Sequence, residues 1–181
     1  MGLFDALAKP LAPEKGANAL SSVPTEAFLK ALKLHEGSKE FVYKDSLGVL
    51  TAGVGHKLTE GEKLVYTEGA YIDQPTREGW LENDAMLAYK SALKQGIDLG
   101  IEDQEMINAL ASVNYQLGTS WHRKFPSAYT ALKEGDFEEA KKHIKYKDKD
   151  TESAWHQQTP KRTKAFIEAI EKYEKNTSTE N

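Results

Sequence analysis

Cysteine is absent from all 181 residues. Disulfides, a thiol nucleophile and cysteine metal sites are therefore excluded together, a composition compatible with folding in a reducing cytoplasm. No apolar run approaches the roughly 18 to 20 residues needed to cross a bilayer, so no stable membrane insertion is expected. The opening stretch MGLFDALAKP carries no basic region ahead of an apolar core and is not expected to act as a secretory signal. A positive balance is missing too: 24 basic residues stand against 28 acidic ones, a net charge of −4. Nucleic acid is disfavoured as a partner on that ground. His56 and Asp84 are the one pair worth weighing as metal ligands, and two ligands without a third or fourth do not make a site. No metal is expected.

What is present describes a soluble globular chain, with 39% hydrophobic and 29% charged residues. Its length suits one domain or two small lobes with a real core. The charge is uneven. Residues 71 to 110 hold 3 basic and 8 acidic side chains, whereas residues 111 to 181 hold 13 and 11. Attraction to an anionic polymer would then be local rather than global.

The segment from Leu32 to Leu58, LKLHEGSKEFVYKDSLGVLTAGVGHKL, gathers the residues that break ordinary rules. Phe28, Leu29, Leu32 and His35 or Glu36 recur at helical spacing, and Gly37 is placed to end that helix in a left-handed cap. Glu36 would be its last full side chain. There the unpaired carbonyls at the negative end of the helix disfavour an ionised carboxylate and favour an acid that keeps its proton. Phe41-Val42-Tyr43 and Val49-Leu50-Thr51, separated by a polar stretch ending in Gly48, predict a β-hairpin. Asp45 falls at the mouth of its turn and Thr51 on the returning strand. Gly53 and Gly55 allow the backbone to bend or to approach another surface closely, a ligand being one candidate. Two carboxylates on different elements beside a hydroxyl suit glycosidic hydrolysis, in which one protonates the leaving oxygen while the other supports the positive ring or activates water. The same residues also fit an ordinary turn Asp, strand Thr and solvated Glu.

Around this segment the pattern is largely helical. Leu3, Phe4, Leu7 and Leu11 could line a short helix broken by Pro10 and Pro13, and GANALSSVP resembles a linker in composition. Thr59 and Glu62 have the spacing of a capping box. Asp73 and Pro75 open a long helix whose buried stripe is Leu81, Ala85, Ala88, Tyr89, Ala92 and Leu93. Gly96 and Gly100 are expected to bracket a loop, followed by a helix from Glu102 to Leu117 with Met106, Leu110, Val113 and Leu117 inward and Gly118 at its close. Further short helices are predicted at Phe125-Pro126-Ser127 and over Phe137 to Ile144. The charged run KHIKYKDKDTES, 142 to 153, reads as a solvated loop. Thr159-Pro160 starts a last helix, and residues 176–181 are expected to fray.

Glu36, eight residues, Asp45, five residues and Thr51, set in HEG…YKDSLGVLTAGVGHKLT, resemble the Glu-Asp-Thr signature of the bacteriophage lysozymes of T-even type, glycoside hydrolase family 24. NYQLG at 114 to 118 resembles the family's helix end beside the cleft, and WHQQTPKRTKAF at 155 to 166 its Trp-x-x-Gln-Thr-Pro-x-Arg motif. The three motifs keep their order across residues 27 to 172.

The resemblance implies an α+β, predominantly helical, two-lobed fold. Residues 25–72 would form a small α/β lobe, and 73–175 a helical lobe that begins with the joining long helix. Residues 1–24 would be an N-terminal extension with no counterpart in the family's short forms. They are open to packing on the body or to contact with a virion protein or membrane surface. It implies a monomeric muramidase acting on bacterial peptidoglycan without a cofactor, made in the host cytoplasm and acting on the wall in the periplasm, either as an endolysin or in the virion. Glu36 would be the acid, Asp45 the anionic partner and Thr51 the holder of water, with inversion at the anomeric carbon. Tyr115 and Gln116 are expected in the substrate cleft by the same resemblance, and His143 and Lys57 are further cleft candidates. Lys57 departs from the apolar residue often found after the Gly-His pair. Arg162 is expected to reach toward Glu36, and His56 to pair with Asp84.

Overall fold

The computed structural model describes residues 20–179, less the side chains of His35, Glu36 and Thr179. The expected N-terminal helical face at Leu3, Phe4, Leu7 and Leu11 lies outside the described residues, as does the side chain of Glu36. At the start of what is described, Leu20 packs on the main core. The Ser21 amide donates to Gln104 Oε1 at 2.8 Å, and its carbonyl accepts from the Tyr89 hydroxyl at 3.2 Å. Residues 20–24 are thus tied to the body, where their composition suggests a linker.

Helix α1 (Glu26–Glu36) starts at Thr25, whose hydroxyl accepts from the Phe28 amide. It buries Phe28 and Leu32 in the main core. Gly37 ends it with φ 64° but ψ −178°. The positive φ requires glycine as expected, but the extended ψ launches the chain straight into a strand instead of completing a left-handed cap.

Strands β1 (Lys39–Lys44), β2 (Leu50–Gly53) and β3 (His56–Lys57) form an antiparallel sheet in that order. Tyr43 pairs with Thr51, and Thr51 with Lys57. A bulge between Lys39 and Tyr43 shifts the first register. The outer edge of β1 is covered by residues 69–72: Val42 donates to the Ala70 carbonyl and Ile72 to that of Glu40. That satisfies backbone groups an edge strand would leave open. One face of the sheet buries Val42, Ala52 and Leu58 with Ile72, and Leu50, Tyr66, Ala70 and Trp80 pack around them. The short helix α2 (Glu60–Lys63) carries the complete capping box of Thr59 and Glu62.

Asp73 caps α3 (Gln74–Leu99) by accepting from the Thr76 amide. Five of the six stripe residues, Leu81, Ala85, Ala88, Tyr89 and Ala92, are at most 3% exposed, while Leu93 is only partly buried against the core. The expected loop between Gly96 and Gly100 is instead the last turn of this helix. Gly96 sits inside it because a Cβ there would lie 2.4 Å from Ile107 Cδ1. Only Gly100, at φ 67°, ends the helix in the left-handed conformation. Helix α4 (Gln104–Leu117) follows, capped by Asp103, so it begins two residues later than predicted.

Around α4 lie α5 (Trp121–Lys124), which sequence patterning missed, then α6 (Pro126–Glu134), α7 (Phe137–Lys145), α8 (Ala154–Gln158) and α9 (Pro160–Thr179). Two expectations are corrected. The charged run 142–153 is not a loop. It completes α7 and then forms a hairpin, β4 (Tyr146–Asp148) and β5 (Thr151–Glu152); Ser153 closes it, with its hydroxyl donating to the Ile144 carbonyl at 2.6 Å. Of the fraying expected over residues 176–181, residues 176–179 are instead helix, where the Thr177 and Ser178 hydroxyls donate back to carbonyls of the preceding turn, and residues 180 and 181 lie outside the described residues.

Inside the helical part, Trp121 is fully buried among Tyr129, Trp155 and Phe166. Its indole N–H donates to Gln95 Oε1 at 3.3 Å. Gln95 and Asn114 exchange amide hydrogen bonds of 3.1 and 2.9 Å, and Asn114 also donates to the Ala88 carbonyl. Every polar atom removed from this cluster strands another without water to replace it. Gln95→Leu, close in volume, should therefore lower stability by roughly 2 to 3 kcal/mol, measured by denaturant unfolding at neutral pH; an unchanged midpoint would mean the amide pair contributes nothing net.

Candidate active site

The turn after β1 fixes Asp45. One carboxylate oxygen accepts from the Leu47 and Val49 amides, each at 2.9 Å, while the Asp45 amide donates to the Val49 carbonyl. These bonds close the five-residue connection that the sequence marked only by its polar start and its Gly finish. The Val49 amide is the main reason the Asp45 carboxyl lies below its usual range; burial opposes it, and the Leu47 amide and Lys57 add to the lowering. Asp45 is held ionised.

Thr51 is 3% exposed, and its hydroxyl donates to the Val49 carbonyl at 3.0 Å. Its neighbours across the sheet are Tyr43 and Lys57. Lys57 Nζ stands 3.8 Å from Asp45 Oδ2. Burial and the adjoining Asp45 charge both raise the Tyr43 phenol. The structure thus brings three predicted residues, Asp45, Thr51 and Lys57, onto one corner of the sheet. Glu36 closes α1 three residues before Lys39, which pairs with Gly53. Its backbone therefore leads to the Gly53 end of β2, two residues beyond Thr51 and away from the Asp45 turn.

The turn beyond β2 faces the helices. Gly53 and Gly55 have φ 59° and 76°. The surface that Gly53 approaches is the stem of Arg77 on α3, 3.6 Å from the position of a Cβ. Tyr115, at the end of α4, donates its hydroxyl to the Val54 carbonyl at 2.5 Å. Burial, and secondarily Asp84, raises its phenol beyond any physiological titration. Gln116 donates to the Thr159 hydroxyl at 2.7 Å and accepts from the Trp155 indole at 3.2 Å. With Trp155, Phe166 and Arg162 it lines a small cavity of about 60 Å³. Burial lowers the Arg162 guanidinium from its ordinary value. His143 is half-buried on α7, 3.2 Å from Glu139 on its own helix.

His56 makes the predicted ion pair and more. Nδ1 lies 2.7 Å from Asp84 Oδ2 on α3, Nε2 lies 3.0 Å from Glu62 Oε2 on α2, and the ring stacks on Trp80 at 4.4 Å. The sequence flagged Glu62 only as a capping residue. Its carboxylate accepts from the Thr59 amide and hydroxyl and also reaches the imidazole, a second use that capping-box spacing does not reveal. Burial opposes protonation of His56, but the two carboxylates outweigh it and raise its pKa. Burial also opposes ionisation of Glu62, yet Thr59 and His56 hold it down at about 2. No group of three or more metal-binding side chains occurs among the described residues.

The phage lysozyme family model matches residues 33–165, a span that contains Glu36, Asp45, Thr51, His56 and Arg162. The chain belongs to the phage lysozyme family. Among curated relatives, the probable T4-type lysozyme 2 of Dictyostelium discoideum is 30% identical over 160 residues, covering 77% of this chain and 91% of that protein. The probable T4-type lysozyme 1 of the same organism is 26% identical over the same length. The peptidoglycan hydrolase gp36 of Pseudomonas phage phiKMV is 26% identical over 157 residues, 86% of this chain. The chain spans only 16% of that phage protein's length. For this phage lysozyme family member the α+β, mainly helical architecture is as the resemblance implied.

The His56 cluster gives stability a definite pH dependence. A raised imidazole stabilises fully below its ordinary value of 6.5 and loses that contribution as pH climbs through the folded value. Glu62 stabilises fully above its ordinary 4.5 and loses it as pH falls through about 2. Both operate together between about 4.5 and 6.5. Asp84→Asn should therefore cost roughly 1.5 to 3 kcal/mol near pH 5.5 and distinctly less near pH 8.5, read from thermal unfolding at the two pH values. An equal loss at both would show that the His56 charge is not involved.

Proposed function

We propose that the chain is a muramidase that hydrolyses the β-1,4 bond between N-acetylmuramic acid and N-acetylglucosamine in peptidoglycan, with inversion at the anomeric carbon. The observation that carries this reading is the family match over residues 33–165, a span that contains Glu36, and it is supported by an ionised Asp45 near Thr51 on one corner of the sheet. In this reading Glu36 protonates the leaving glycosidic oxygen. Asp45 stabilises the oxocarbenium-like ring or takes the proton of the attacking water, and Thr51 helps to hold that water. Two backbone amides fix Asp45 before substrate arrives, so its charge needs no reorganisation as the ring becomes positive.

The supporting roles belong to the same reading. On this reading Arg162, which lines a cavity with Trp155 and Gln116 at the start of α9, is the cation that steadies the acid. Tyr115 joins α4 to the turn at Val54. His56 and Asp84 tie β3 to α3. Residues 25–72 and 73–175 act as two lobes on this reading, with the cleft between them and α3 as the link. Tyr115, Gln116, His143 and Lys57 are its candidate contacts with the glycan, and no cofactor takes part. The chain acts as a monomer, after synthesis in the host cytoplasm, on the wall in the periplasm.

A second reading concerns where the activity is used. The chain acts either as a free endolysin or within a virion, with residues 1–24 as its contact there. Mass spectrometry of purified particles separates the two.

Glu36→Gln should reduce turnover on peptidoglycan by roughly 10²- to 10⁴-fold with unchanged unfolding, and Asp45→Asn should do the same. Proton NMR of the first released sugars should show the inverted anomer. Retained activity in Glu36→Gln removes the acid assignment. A wild-type chain that releases no reducing ends from peptidoglycan would leave a wall-binding module with this fold.

A further inference from the structure

Lys57 occupies an unusual place. It pairs across the sheet with Thr51, and its ammonium lies 3.8 Å from Asp45 Oδ2, too far for a close hydrogen-bonded bridge. Asp45 already has one oxygen saturated by two backbone amides. The side chain of Lys57 is 61% exposed, whereas that of Asp45 is 19% exposed. One member of this pair is built in, and the other stands in solvent with most of its hydrogen-bonding capacity free. An ammonium has three donors, and Asp45 uses at most one of them loosely. Among the described residues, Tyr43 from β1 faces Asp45 as a neutral phenol, and Lys44, the next lysine along β1, is turned to Glu68 at 2.9 Å.

We propose that Lys57 is a specificity-determining residue of the cleft, bridging Asp45 to a carboxylate carried by the glycan strand and so selecting acidic strands over neutral ones. The inference rests on the muramidase reading for the identity of the polymer, and on the Asp45–Lys57 geometry for the recognition. The overall charge of −4 gives the molecule no general attraction for an anionic wall. A single local cation next to the reacting position supplies that attraction where it also orients the strand. Peptidoglycan offers carboxylates of two origins, the peptide stem and, once the peptide is removed, the lactyl group of the muramic acid. Lys57 also acts through Asp45, because its charge favours the ionised carboxylate alongside the Val49 and Leu47 amides.

The test uses the full chain in a Glu36→Gln background, so that binding is measured without turnover, with and without Lys57→Met or Lys57→Arg. Dissociation constants are measured for peptide-bearing strands, for strands stripped of peptide by an amidase, and for both after their carboxyls are converted to amides. With Lys57 present, amidation should weaken binding by roughly two- to fivefold, the scale of one solvent-exposed ion pair. Lys57→Met should bind acidic strands as weakly as amidated ones, and Lys57→Arg should retain the discrimination. Loss confined to the peptide-bearing strands assigns the carboxylate to the stem, and loss confined to the stripped strands assigns it to the lactyl group. Equal weakening by amidation with and without Lys57 overturns the proposal. An NMR titration of the Asp45 carboxyl gives an independent readout: Lys57→Met should raise its midpoint, and an unmoved midpoint overturns the positioning role. Hydrolysis by the otherwise unmodified chain is assayed separately, so loss of the muramidase reading and loss of Lys57 recognition give different results.

Discussion

Three strands of six, four and two residues cannot bury a face by themselves, and everything on the small sheet follows from that shortage. The sheet leans on α3. Trp80 and Ile72 close its apolar side, and Arg77 reaches back to Ser38 and Glu40 at the start of β1. His56 ties the last strand to Asp84 on α3 and Glu62 on α2. Buried ionic groups are expensive unless fully partnered, and here both ring nitrogens have a carboxylate while the ring face has an indole. Asp45, Thr51 and Lys57 owe their fixed positions to this clasp, because a sheet free to slide would carry the whole corner with it.

The helical part is held by different physics. Alanines along α3 and the missing Cβ at Gly96 let α3 and α4 come close, and Ile107 fills the space at Gly96. The aromatic group of Trp121, Trp155, Tyr129 and Phe166 surrounds the other side of α4. A reciprocal Gln95–Asn114 amide pair satisfies the polar atoms that this packing would otherwise strand. Gln116 then hands the order of this core to Trp155 and Thr159 at the start of α9, next to Arg162.

Much of this was legible in the residues. The stripe from Leu81 to Ala92, the caps at Thr59 and Asp73, the hairpin and the His56–Asp84 pair were all read from period, spacing or resemblance. The misses have physical causes. Gly96 has the look of a helix breaker, and only the tertiary approach of Ile107 explains a glycine inside a helix. The run from Lys142 to Ser153 is charged enough to suggest a loop, yet salt bridges of Lys141 and Lys142 to glutamates on their own helix, and of Lys141 to Glu174 on α9, support helix as far as Lys145, and the rest pairs as the β4–β5 hairpin. Trp121 to Lys124 is too short for a period to register. The candidate site was nameable because its residues cluster within one segment. Glu62 and Trp80 escaped because their partner lies across a turn and on another element, where spacing carries no signal.

Holding Asp45 through main-chain amides rather than through neighbouring side chains leaves the residues of its turn free to vary. Leu47 is 79% exposed and lends only its N–H, and Val49 contributes through its main chain, its N–H donating to the Asp45 carboxylate and its carbonyl accepting from the Asp45 amide and the Thr51 hydroxyl. Mutational drift through this connection can therefore alter shape, polarity and what the rim of the molecule meets, provided the peptide path survives, while the anion stays where the chemistry wants it. A lineage adapting to a new wall has latitude at the very spot where innovation would ordinarily be most dangerous.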